Sequence, residues 1–401
     1  MAASLSLEQT LLQRLRSSDP TLIFLIVAPS LLHCQRDSSA YDKLIGFKLP
    51  VLINWFLVSN ITRASFASSL ASRGIVRPCL CETWPVAGFF EALAINSTLT
   101  TLAIGRCHLK EEQARQFGKT LAFHSTLQTL VLEWLNKPEH WVSSLAEGLA
   151  GGIPLTSLSI DNSKIGDAGI TIGEALASNS TLTFLSMCGN EIGDAAAAKI
   201  GEGLAANSAL TSLILRRNHI EDVGGEKIGE ALAINSTLTE LDLSINYLGE
   251  IAGAKIGEAL ATNSSLRILI LSFNWIQGVA GVTFGAALSV NYALTCLDLS
   301  RNKIRDDGGV KIGEALVVNY TLTQLELIGN EIKDLGIDKI CEGLAVNPYL
   351  TKLSLTRFGS GSDILIERNQ NNLRLRTESL FELLFPYVSN DDSEESDELT
   401  Q

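Results

Sequence analysis

The sequence predicts an α/β solenoid: parallel strands stacked into a curved sheet, with one helix per unit on its convex side. Three observations carry that expectation. The first is an internal repeat. LTSLILRRNHIEDVGGEKIGEALAINST, residues 210–237, is followed by LTELDLSINYLGEIAGAKIGEALATNSS. Such repetition outranks other signals, because each unit buries its apolar face only against its neighbours. The second is register. Ten units open at Leu99, Leu127, Leu155, Leu182, Leu210, Leu238, Leu266, Leu294, Leu322 and Leu350, 28 residues apart except for 27 after Leu155. The third is a switch of period inside each unit. Leu241 and Leu243 alternate as in a strand, whereas Ile256, Ala259 and Leu260 recur at helical spacing.

Residues 1–98 read as an N-terminal capping region with degenerate repeats. SLEQTLLQRLR has helical spacing behind Ser6 as an N-cap. Leu22, Leu25, Val27 and Leu32 reproduce the strand-and-turn spacing of the later units, with Ser30 in the Asn place. This apolar run, residues 21–32, is too short to span a bilayer, which takes ~20 residues. Arg16, Glu8 and Asp19 precede it, unlike the leading region of a signal peptide. Leu44, Phe47 and Leu49 suggest one strand and Val76 with Cys79 another, interrupted by Pro78 and Pro85.

Residues 99–358 hold the regular array. Its strand leucines are each worth roughly 1.5–3 kcal/mol when buried. Three steps beyond stands an asparagine: Asn190, Asn218, Asn246, Asn274, Asn302 and Asn330. An inward amide both donates and accepts, so a stacked Asn ladder can satisfy backbone groups where each strand turns away. The helix follows, and the recurrent Asn-Ser at its end (Asn235, Asn263) suits a polar stop. The shortened unit loses its residue between Ile165 and Ile172, in a loop. Two units depart from the pattern: Leu135, Lys137 and Pro138 disturb one turn, and Phe358 fills the last Asn place. Residues 359–390 read as a C-terminal cap, with Ile364 to Asn369 and then TESLFELLFPYV as closing helices, Leu380, Leu383 and Leu384 covering the last unit. Residues 391–401, DDSEESDELTQ, form an acidic tail expected to be disordered.

These motifs resemble the leucine-rich repeat family, closest to the helix-bearing, ribonuclease-inhibitor-like class and the repeat regions of NOD-like receptors. The resemblance covers residues 99–358 and implies a horseshoe. Strands stack at ~4.8 Å and helices need ~10 Å, so the sheet takes the inside of the curve.

The formal charge is −13, from 31 basic and 44 acidic residues. That balance argues against nucleic acid or an anionic membrane as the main partner. Seven cysteines show no paired spacing, so a reducing, cytoplasmic setting is expected. Five scattered histidines (His33, His108, His124, His140, His219) give no metal site, and no cofactor is implied. Cys79-x-Cys81 has no second pair. Gly118-Lys119-Thr120 looks like the end of a phosphate loop but lacks the first glycine, with Gln113 in its place. Gly359-Ser360-Gly361-Ser362 reads as a linker rather than a nucleophile elbow. Six sequons occur at Asn60, Asn96, Asn179, Asn235, Asn263 and Asn319, and most fill one slot of the repeat, so a structural role explains them.

What remains is surface. Outward strand residues, among them Arg216, Glu240, Asp242 and Asp298, vary in type while their neighbours repeat. At the strand exits Arg217, His219, Tyr247, Phe273, Trp275 and Arg301 lie on consecutive units and should cluster. Exposed Trp, Tyr and Arg are enriched at binding hot spots. An equal alternative is that Phe273 and Trp275 pack on each other to seal a loop. The expected function is a non-catalytic, monomeric scaffold that binds a protein partner through the concave face and strand-exit rim. A second reading is a GTPase activator, since helix-bearing repeats before an acidic tail look similar to Ran GTPase-activating proteins. The loop residues Arg217-Asn218-His219-Ile220 and Arg301-Asn302-Lys303-Ile304 both lack that family's second arginine. A third reading, a ribonuclease-inhibitor-like enzyme inhibitor, fits poorly with so few cysteines.

Overall fold

Twelve strands form a single sheet in sequence order in the computed structural model, which describes residues 24–27, 89–105, 107–356 and 363–367. The strands are β1 (Phe24–Val27), β2 (Thr101–Gly105), β3 (Thr129–Glu133), β4 (Ser157–Asp161), β5 (Phe184–Ser186) and β6 (Ser212–Ile214). They continue as β7 (Glu240–Asp242), β8 (Ile268–Ile270), β9 (Cys296–Asp298), β10 (Gln324–Leu327), β11 (Lys352–Thr356) and β12 (Asp363–Glu367). Neighbours from β1 to β11 pair in parallel, leucine against leucine, as in Leu213↔Leu241 and Leu241↔Leu269. In the N-terminal run Leu25 pairs with Leu102 and Val27 with Ile104, in the repeat's own register. The strands expected near Leu44 and Val76 lie outside the described residues.

Helices cover the outer face: α1 (Phe89–Ile95), α2 (Glu111–Ala122), α3 (Pro138–Ala150), α4 (Gly169–Leu176) and α5 (Asp194–Ala206). They continue as α6 (Asp222–Ile234), α7 (Glu250–Leu260), α8 (Gly278–Leu288), α9 (Arg305–Leu316) and α10 (Asp334–Val346). The unit one residue short enters α4 through a 3-10 turn, Gly166–Ala168, which absorbs the missing residue. One continuous core joins the strand leucines to the helix faces, for example Leu241, Leu243, Ile256 and Leu260. Glycine inside a helix ordinarily costs about 1 kcal/mol. Here it is needed: a Cβ on Gly173 would lie 2.5 Å from the Lys199 backbone, and one on Gly313 2.4 Å from that of Lys339. Neighbouring helices therefore pack almost backbone to backbone.

Polar ladders tie the units together at both edges of the sheet. At the strand-exit edge, the Asn218 amide nitrogen donates to the Met187 and Leu215 carbonyls at 2.9 and 2.8 Å. Its oxygen accepts from the Asn190 and Ile192 amides. At the helix-exit edge a second ladder runs through Asn179, Asn207, Asn235, Asn263, Asn291, Asn319 and Asn347. Asn235 donates to Leu204 and Asn207 of the preceding unit and accepts from the amides of Thr237 and Leu238. The Asn-Ser helix stop is thus a cross-unit tie. The sequon nitrogens of Asn179, Asn235, Asn263 and Asn319 are buried and committed to carbonyls, as a structural role requires. A third device caps helices across units: the Asp222 carboxylate accepts from the amides of Gly249 and Ala252 at the start of α7.

Two readings are revised. Residues 364–367 are not helical. Asp363–Glu367 is β12, which runs antiparallel to β11 and satisfies its outer edge; the alternating Ile364, Leu365 and Ile366 favour a strand. The TESLFELLFPYV segment and Phe358 lie outside the described residues. Where Leu135 displaces the ladder Asn, Asn136 takes its place, bonding the amide and carbonyl of Leu109. Gly118-Lys119-Thr120 lies inside α2 with Thr120 buried, in keeping with the missing first glycine of a phosphate loop.

Candidate binding surface

The strand-exit edge is built by one turn repeated along the array. The residue just before the ladder position, which is Asn in all but two of these units (Leu135 and Ser163), adopts the left-handed conformation in every unit from Trp134 to Gly329. It is Trp134, Asn162, Gly189, Arg217, Ile245, Phe273, Arg301 and Gly329, with φ between 53° and 71°. Its amide donates to the next unit, as Arg217 N does to Ser244 O and Phe273 N to Ser300 O. The residue just after the Asn donates to the preceding unit, as Tyr247 N does to Ile220 O and Trp275 N to Leu248 O. With the Asn buried between them, both flanking side chains are turned outward. The turn thus produces two parallel rows of display positions, one residue per unit in each.

Those rows carry most of the residues singled out from the sequence. Arg217, Phe273 and Arg301 occupy the first row, and His219, Tyr247 and Trp275 the second; all are exposed. The His219 and Tyr247 rings lie 5.8 Å apart. Arg301 sits over the Phe273 ring at 5.8 Å, and Lys303 over the Trp275 ring at 5.2 Å. Phe273 and Trp275 are 55% and 58% exposed, so each ring is partnered by a cation of the following unit and still open to solvent. Sequence reasoning passed over Lys303 and the half-buried Ile245. Both occupy the same slots as the residues it chose, so aligning the units column by column would have found them.

The concave face beside these rows is tighter than expected. Asp242, taken as an outward binding residue, is only 7% exposed, and Ser212, Ile214, Ser244 and Ser272 are buried with it. Parallel strands only ~4.8 Å apart crowd their inward side chains together. The Asp242 carboxylate accepts from the Ser244 amide and hydroxyl, and burial pushes its acidity toward the protonated form against those bonds and the nearby Arg216. Asp161 is buried the same way, held by Ser159, Ser186 and the Cys188 amide. Glu240 and Asp298 stay half-exposed, and Arg216 is exposed at the boundary of face and rim. Glu326, despite partial burial, is held below the usual carboxylate range by Lys352, Ser354 and Gln324.

Little here is poised for chemistry. Burial pushes the Cys188 thiol up to about 12 and that of Cys296 to about 11, so both stay protonated at neutral pH. The four described cysteines are free thiols. Among the described residues no group of three or more His, Cys, Asp or Glu could hold a metal ion. No described helix is long and apolar enough to cross a membrane.

Five segments match the leucine-rich repeat model: residues 178–201, 206–229, 262–285, 293–313 and 318–341. No curated protein matches the sequence. Among solved structures, an internalin (inlF) from Listeria monocytogenes is similar at 22% identity and a TM-score of 0.47, over 66% of this chain. This chain spans 64% of the internalin, under two thirds of its length. Leiomodin-1 actin-binding site 2 matches at 27% identity and 0.32, over 36% of this chain and 85% of that one. The tropomodulin C-terminal domain of Caenorhabditis elegans matches at 20% and 0.33, over 38% and 93%.

Proposed function

We propose that this leucine-rich repeat chain is a protein-binding scaffold whose partner seats on the strand-exit edge and the adjoining concave face. Tyr247, Phe273 and Trp275 are its apolar anchors. Arg216, Arg217, His219 and Arg301 orient the partner, with Glu240 and Asp298 lining the approach. One observation carries this reading. Arg217, Phe273 and Arg301 hold a left-handed backbone that costs a side-chain-bearing residue roughly 1–2 kcal/mol. Gly189 and Gly329 fill the same slot in other units. The exposed side chains return little burial for that cost, and strain kept without a folding return points to a surface role. The residue types agree, since exposed aromatics and arginines dominate hot spots.

Burial removes Asp242 from direct contact and leaves it a support for Ser244. The regular helix in each 28-residue unit supports the ribonuclease-inhibitor-like class shared with NOD-like receptors. The free thiols of the described cysteines, and the sequon amides consumed by the ladder, support a cytoplasmic setting.

Affinity capture with the native chain supplies the partner for a direct test. Trp275→Ala should then weaken its binding by about 2 kcal/mol, roughly 30-fold. An unchanged affinity for the purified partner removes the anchor and this reading with it.

A further inference from the structure

The strand-exit edge is bounded along the array. The turns after β5 and β10 carry the same three residues, Gly189-Asn190-Glu191 and Gly329-Asn330-Glu331. Between them lie four turns with no glycine and no acid: RRNH, SINY, SFNW and SRNK, at residues 216–219, 244–247, 272–275 and 300–303. Their order along the edge is cationic, apolar, apolar, cationic. Arg216, Arg217, Arg301 and Lys303 place four positive charges here, in a chain whose net charge is −13.

Elsewhere the chain pairs its cations. Lys199, Lys227, Lys255, Lys311 and Lys339 on the helices each reach a glutamate three residues on. The bounding glutamates are engaged too, Glu191 with Lys164 at 3.3 Å and Glu331 with Arg305 at 3.7 Å. Among the described residues no carboxylate forms an ion pair with the four rim cations. Asp242 acts on Arg216 only at longer range and is held by Ser244. Arg301 and Lys303 lean over the Phe273 and Trp275 rings, which attract a cation without cancelling its charge.

Dimensions and charge limit what fits. Parallel strands step by ~4.8 Å, so the two cationic ends, three units apart, stand ~14 Å from each other. An extended segment advances ~3.3 Å per residue, so about four residues cover that span, with alternate side chains on one face. A single nucleic-acid strand also combines cations with stacking rings. Here the rings are already covered on one side by cations, and Glu240 and Asp298 on the adjoining strands repel a phosphate chain.

On the reading that a protein seats on this edge, we infer that the part of the partner lying there is an extended segment of pattern acid–x–apolar–x–acid. Its carboxylates meet Arg217 and Arg301, and its apolar side chain lies between Tyr247 and Phe273. Only the four units between the two Gly-Asn-Glu turns take part.

A short fluorescent peptide with two glutamates four residues apart, a tryptophan midway between them and serine elsewhere tests this by anisotropy with the full chain. At low salt it should bind, and Arg217→Glu and Arg301→Glu should each weaken it at least about tenfold. Lys227→Glu on the outer face of α6 should leave it unchanged. Peptides with lysine for glutamate, or with the two glutamates adjacent, should also bind at least about tenfold more weakly. If either reversed variant does not fold, Arg217→Gln and Arg301→Gln remove the charge alone and should weaken binding in the same order. Equal binding of the lysine peptide, indifference to both arginines, tighter binding of a single-stranded thymidine oligonucleotide, or no binding at about 1 mM peptide overturns the inference. The captured partner separates this failure from that of the wider reading. A partner that depends on Trp275 but on neither arginine removes the acidic segment alone, and one that depends on none of the three removes both.

Discussion

The two edges of the sheet are built alike and decorated differently. Each is tied by a buried asparagine whose amide bonds the preceding unit, Asn218 at the strand exits and Asn235 at the helix exits. Beside the first ladder the residues change from unit to unit: Arg217, Ile245, Phe273, Arg301. Several of them sit in left-handed backbone. Beside the second ladder six units repeat serine, two carry tyrosine and the last carries Pro348, and no non-glycine residue flanking that ladder has a positive φ among those described. The asparagines thus carry the architecture, and the slots beside them carry whatever is specific to this chain.

The largest effect tests the scaffold. Asn235→Ala strands two buried carbonyls and two amides, and unpaired buried groups cost ~1–3 kcal/mol. Urea unfolding should show a loss of about 3 kcal/mol. Asn218→Ala should cost a similar amount; a tolerant ladder at one edge would break the equivalence drawn here. Display residues should behave in the opposite way. Phe273→Gly relieves a left-handed side chain and should stabilise by about 1 kcal/mol while weakening partner binding. A loss of stability in that variant would mean that the ring packs for the fold.

The smallest effect concerns a flaw in the helix-exit ladder. His124 occupies an Asn slot, is 2% exposed, and has no hydrogen-bond partner for either ring nitrogen. Burial lowers its pKa below 6.5, so the unfolded chain binds the proton more readily. Its contribution to stability is complete above pH 6.5 and is lost as pH falls through and below that value. His124→Asn should raise the melting temperature and flatten this part of the pH profile. An unchanged acid limb would show that His124 takes up its proton as readily in the folded chain as in the unfolded one.

Much of this was legible in the sequence, and the gaps have physical causes. The leucines and Asn218 repeat in the chain, so period and register follow from reading it. What Asn235 bonds to could not be read, because its acceptors lie 28 and 31 residues earlier and are reached only when units stack. Asp242 was misplaced for the same reason: alternation says which face it is on, but strand spacing decides whether water reaches it. The pairing of Arg301 with Phe273 was anticipated as a cluster, whereas Lys303 over Trp275 was not, since lysine is the commonplace residue of a solvated turn.

The central claim is that the strand-exit edge, and not the helix face, meets the partner. A photo-crosslinking residue placed at position 275, and separately at Lys227 on the outer face of α6, tests it in one experiment with the captured partner. Covalent adducts are expected from position 275 and none from 227. Adducts from 227 with none from 275 would contradict it.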